Sequence, residues 1–92
     1  MSKKIYKPQT REELKNLVNN ESIHLGDIDT SAIDSMSFLF FDSTRKDFSG
    51  IESWDISNVE YIAYMLNGAE SFNQSLDSWN LTIRERKICF GD

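Results

Sequence analysis

A repeat constrains this chain more than any other feature. SWDIS at 53–57 returns as SWNLT at 78–82, around the only two tryptophans in 92 residues. Leu25, Ile28 and Thr30 match Ile51, Trp54 and Ile56 at a spacing of 26, and these match Leu76, Trp79 and Leu81 at 25. Ser31, Ile33 and Met36 match Ser57, Val59 and Ile62 in the same way. Periods of this size mark arrays in which each unit buries an apolar face against its neighbour. Ile28, Trp54 and Trp79 are therefore expected as equivalent rungs of one core.

Each unit reads as a strand followed by a helix. The segments 25–30, 51–56 and 76–81 are short, carry apolar anchors and lack long helix-favouring runs, which suits strands. A hydroxyl residue followed three later by an acid comes after each: Ser31 and Asp34, Ser57 and Glu60, Thr82 and Glu85. Thr10 and Glu13 open the N-terminal segment in the same manner. This is the spacing of a helix capping box. Apolar faces follow, with Ile33, Met36, Leu39 and Phe40 in 31–42, and Val59, Ile62, Met65, Leu66 and Ala69 in 57–69. Upstream, Leu14, Leu17 and Val18 share one stripe behind Pro8. The predicted fold class is α/β in one domain, residues 1–92, with a cap helix within 1–22 and repeats at 23–50, 51–75 and 76–92, the last truncated.

WDISNVEYIAYMLNGAESFNQSLDSWNL resembles the repeat of BspA-like leucine-rich-repeat proteins, and YKPQTREELKNLV with LGDIDTSAIDSMSFLF resembles their N-terminal cap and first repeat. The likeness runs from about Tyr6 to Leu81, and its FNQ-x-L-x-x-W element is quite specific. Many members of that group are long, exported bacterial surface proteins connected with adhesion and host contact. The resemblance implies a short right-handed strand–helix, leucine-rich-repeat-like solenoid of about two and a half repeats, and a role in protein binding. The chain departs from the pattern in its small number of repeats, in IRERKICF after the third rung, and in a longer connection at Arg45–Lys46.

Charge narrows the partners. Ten acids but only two bases, Arg45 and Lys46, lie between Gly26 and Asn80, a balance of −8, against −5 for the whole chain. Bases collect at the ends, in Lys3, Lys4 and Lys7 and in Arg84, Arg86 and Lys87. Direct nucleic-acid binding needs a basic surface and is disfavoured; a protein with a basic surface is the better match. With no apolar stretch behind the early lysines and none of spanning length, no membrane association is expected, and the chain reads as cytoplasmic.

Catalytic patterns are weak. His24 and Cys89 could form a nucleophile–base pair only if brought within hydrogen-bond reach, and nothing in their spacing does so. Asp27, Asp29, Ser31 and Asp34 suggest calcium, but an EF-hand counted from Asp27 needs Gly and Glu where Ala32 and Phe38 stand. Asp29, Asp55 and Asn80 recur at one repeat position and read as turn-bonding residues. No glycine-rich phosphate loop is present. The chain is read as a non-enzyme without cofactor or metal.

The surface expectation rests on Phe38 and Tyr64, equivalent positions turned away from the core faces, with Asp34 and Glu60 alongside. With Asp42, Asp47 and Glu70 they form the expected partner-binding set of a non-enzymatic protein-binding module. The rival reading is a small acidic inhibitor of phage or mobile-element type, a nucleic-acid mimic occupying the groove of a defence protein such as a CRISPR effector. A homodimer through the C-terminal end, covering strand edges and an apolar end, is a further expectation.

Overall fold

The computed structural model describes residues 5–91; Lys3 and Lys4 of the N-terminal basic cluster lie outside them. It holds two helices, α1 (Arg11–Val18) and α2 (Ile83–Phe90), and between them three short 3-10 turns, Leu25–Asp27, Ile51–Ser53 and Asp77–Trp79. No strand occurs among the described residues, only isolated parallel bridges between Tyr6 and Ile28 and between Ser35 and Tyr61. The predicted α/β strand–helix solenoid is therefore wrong. The three supposed strands each begin with a 3-10 turn, and the supposed helices over 31–42 and 57–69 are chains of turns.

Apolar spacing gives the physical reason. Of the inward residues, Ile33, Met36 and Leu39, and Val59, Ile62 and Met65, recur every three positions, with Phe40 and Leu66 buried next to the last of each series. On an α-helix, at 100° per residue, that spacing drifts by about 60° each time and leaves the apolar face. It suits a backbone that closes i to i+3 turns along its length. The bonds are those of such a chain: Ile28 to Leu25, Ile33 to Thr30, Leu39 to Met36, Trp54 to Ile51, Val59 to Ile56, Met65 to Ile62 and Trp79 to Leu76, each an amide donating to a carbonyl three back.

The period itself is expressed in stacking. Amides of Met36, Phe38, Phe40 and Asp42 donate to the carbonyls of Tyr61, Ala63, Met65 and Asn67 at 2.8–3.0 Å, a parallel seam between the first two units. The 3-10 turns stack beside it; Gly50, at φ 94°, lies so close to Gly26 that a Cβ there would sit 2.5 Å from the Gly26 nitrogen. Ile28, Trp54 and Trp79 are all buried in one hydrophobic cluster with Leu14, Met36, Phe40 and Phe48. The Trp54 indole Nε1 donates to the Leu25 carbonyl at 2.8 Å, tying one unit to the previous one.

Of the four hydroxyl–acid signals, two start helices. Thr10 accepts from the Glu13 amide at α1, while the Glu13 carboxylate takes the Gln9 amide. Thr82 and Glu85 form a full capping box at α2. At Ser31 and Ser57 the preceding acid wins: the Asp29 and Asp55 carboxylates accept from the amides of Ser31 and Ser57, closing side-chain turns instead of helix starts.

Candidate interaction surface

The seam between units sets the outer surface. Because the Phe38 amide bonds to Ala63, the ring of Phe38 lands over that of Tyr64, stacked at 5.2 Å and 26°. Phe41 meets Phe38 edge-on at 5.3 Å. All three remain more than two-fifths exposed, an unusual amount for packed aromatics. Phe38 and Tyr64 also have left-handed backbone, φ 60° and 56°. Bulky side chains rarely occupy that region, and each instance costs about 1–3 kcal/mol. The column thus arises from a strained turn repeated once, not from the outer face of a helix as expected.

The acids fall into three places. Asp34 and Glu60 are exposed and joined through the backbone, the Glu60 amide donating to the Asp34 carbonyl at 2.8 Å on the same seam. Asp42 and Glu70 line a cleft of about 290 Å³ together with Lys46. Asp47 joins neither group. Its carboxylate accepts from the Ser49 hydroxyl and amide, which hold it below the usual carboxylate range. Asp55 is lowered for the same reason by Ser57.

Two residues of the surface's support were not foreseen. Phe41 was legible only as the end of an aromatic run, FLFF. Arg45 sits in the longer connection but is 4% exposed. Its guanidinium donates to the carbonyls of Val18, Asn20, Ile23 and Asp47 at 2.6–3.2 Å. Burial lowers its pKa, opposed by the Glu21 and Asp47 carboxylates. One of the two central bases is thus spent inward on backbone, and the exposed charge of the middle segment is more negative than the sequence balance implies.

The other chemistry lies apart. His24 is exposed at the entry to the first 3-10 turn, whereas Cys89 is buried in α2, where desolvation pushes its thiol up to about 11. Among the described residues no three His, Cys, Asp or Glu side chains gather in a metal-holding group, and no helix is long and apolar enough to cross a membrane.

A family profile described as "Mycoplasma protein of unknown function" matches residues 10–87. The chain belongs to that family, DUF285. The match begins at the N-cap of α1 and ends inside α2, so the DUF285 pattern takes in the stacked turns, the aromatic column and Arg45 alike. No curated protein and no solved structure matches the chain.

Proposed function

We propose that this DUF285 chain is a non-enzymatic protein-binding module that engages a basic partner through the column of Phe38, Phe41 and Tyr64 and the acids beside it. The observation that carries the reading is the exposed stack on left-handed backbone. Strain at a solvent-facing aromatic persists when it serves something other than stability, and aromatics are the side chains that interfaces concentrate. The inward-turned Arg45 supports the charge of the partner, because it leaves Lys46 as the exposed base among ten acids. The BspA-like character of the FNQSLDSWNL stretch supports protein binding as the activity.

The test is capture of partners from a native lysate by the tagged chain and by a Phe38→Gly/Tyr64→Gly variant, with every retained protein identified. Glycine relieves the positive φ, so the variant should stay folded within about 1 kcal/mol of the parent while losing its partner. A basic protein retained only by the parent, and released by salt, is the expected result. Equal retention by the variant would overturn the reading. Release by DNA would redirect it toward nucleic-acid mimicry.

A further inference from the structure

The third unit does not close on the second as the second closes on the first. Between the first two units, the Thr30 hydroxyl donates to the Asp55 carbonyl, the Asn58 amide group donates to the Ser31 carbonyl, and Ser35 bridges Tyr61. No hydrogen bond links residues 56–62 with residues 80–86 among the described residues. The third 3-10 turn still stacks, with the Ser78 hydroxyl on the Glu52 carbonyl at 2.8 Å. The chain leaves immediately afterwards, at Asn80, whose φ of 54° is left-handed where the equivalent Asp29 and Asp55 are not. Asparagine tolerates that conformation, and α2 then starts where a third seam segment would have run.

A cleft of about 220 Å³ results, floored by Ile56, Val59 and Ile62 and bounded by Trp79. Trp79 is 6% exposed, yet its indole Nε1 has no acceptor, whereas Trp54 donates to the carbonyl one unit back. A buried donor left unpaired costs about 1–3 kcal/mol; the nitrogen is closed to solvent here, so an incoming acceptor recovers that cost once the ring turns toward the cleft. The only charged residues lining the cleft are Glu60 and Glu85, both exposed acids.

We infer that this cleft binds an extended segment of a basic partner protein, which supplies the strand-like edge that the third unit withholds. A carbonyl of that segment takes the Trp79 N–H, a small apolar side chain lies on Ile56, Val59 and Ile62, and a neighbouring Lys or Arg meets Glu60 and Glu85. This is recognition of an extended segment laid in a groove, with charge selecting the sequence. It rests on the protein-binding reading and assigns it a second, separate contact.

The two indole N–H signals of the chain make the test internal. The ¹⁵N-labelled protein is titrated with Ac-Val-Lys-Val-Lys-NH₂ and, separately, with Ac-Val-Glu-Val-Glu-NH₂. The basic peptide should move the Trp79 indole proton downfield in a saturable way and leave that of Trp54 in place; the acidic peptide should move neither. A Glu60→Gln/Glu85→Gln variant keeps the cap of α2, since Gln also serves in a capping box. It should bind the basic peptide about two- to thirtyfold more weakly, the range of two exposed ion pairs. A Trp79 signal that ignores the basic peptide to millimolar levels, that responds equally to both peptides, or that moves with protein concentration alone overturns the inference. If the cleft fails in this way while capture still depends on Phe38 and Tyr64, the aromatic reading stands without it.

Discussion

Replacing Arg45 by Met tests whether one buried cation fastens the N-terminal cap to the repeats. Its guanidinium makes four hydrogen bonds to main-chain carbonyls, at 3.0 and 3.2 Å to Val18 and Asn20, 2.6 Å to Ile23 and 2.8 Å to Asp47. Bonds to a charged group contribute about 1.5–3 kcal/mol each, so the four sum to roughly 6–12 kcal/mol before desolvation. Burying the cation takes back several kcal/mol. Only the Val18 bond is fully buried, so water reaches some of the freed carbonyls in the variant. A net loss of about 3–4 kcal/mol remains. For a domain of this size that lowers Tm by about 12–30 °C, out of a total stability of about 5–14 kcal/mol. Arg45→Lys keeps the charge but not the planar fork, and should recover less than half of the loss. Urea unfolding at 25 °C followed by far-UV circular dichroism, with thermal scans beside it, measures both variants. A loss below about 1 kcal/mol for Arg45→Met, or full recovery by Lys, would falsify the argument that the fork geometry holds the cap.

Three further outcomes are expected. Gly50→Ala combines left-handed strain with a Cβ 2.5 Å from the Gly26 nitrogen, and should lose about 3 kcal/mol or more in urea unfolding; Gly26→Ala meets the movable His24 side chain instead, and should lose clearly less. Cys89 should resist alkylation in the native state at pH 8 and react in urea; because its folded pKa of about 11 lies above the ordinary 9.0, its contribution to stability is present below pH 9 and is lost as pH rises toward 11. The Asp55 carboxyl, lowered first by the Ser57 hydroxyl, contributes stability above the ordinary 3.8 that disappears as acid titrates it; Ser57→Ala should move its NMR titration midpoint upward, and an unchanged midpoint removes the hydroxyl as the cause.

The period was legible in the sequence because tryptophan and the apolar rungs recur whatever backbone carries them. Secondary structure was not, and the misreading has a specific origin. LGDI, IESW and LDSW space their apolar ends by three. Strict alternation would have put them two apart, and a helical stripe would have mixed three with four. Three is the step of the i to i+3 turn seen at each of them. Phe38 and Tyr64 were visible as equivalent because that depends only on register; their outward direction is expected from a helical step that the backbone does not take, and comes instead from the left-handed turns. Arg45 was hidden because a charged residue in a connection reads as solvated, and only the course of the chain around Val18–Ile23 brings three carbonyls to it beside that of Asp47.

The two helices explain how so few units end without strands. Beyond the Ser35–Tyr61 bridge this seam runs one way, amides of 38–42 donating to carbonyls of 63–67. There the first unit's outer edge shows carbonyls and the second unit's outer edge shows amides. At the first edge the Ser37 and Leu39 carbonyls are met by Arg11 Nε at 2.7 Å and Lys15 Nζ at 2.6 Å, both from α1. At the last edge the Tyr64 and Leu66 amides donate to the Ile88 and Cys89 carbonyls at 2.9 and 3.0 Å, and the Asn67 side chain donates to Phe90. Those carbonyls are among the last four of α2, which a helix leaves unpaired. One helix therefore closes its edge with cationic side chains and the other with its own C-terminal backbone. The second arrangement reaches only as far as the last turn of α2, because the carbonyls of its earlier turns accept the helix's own amides, as Thr82 does from Arg86. The edge over 56–62 stays open for that reason, beside Trp79, and no lengthening of α2 toward its C-terminus could close it.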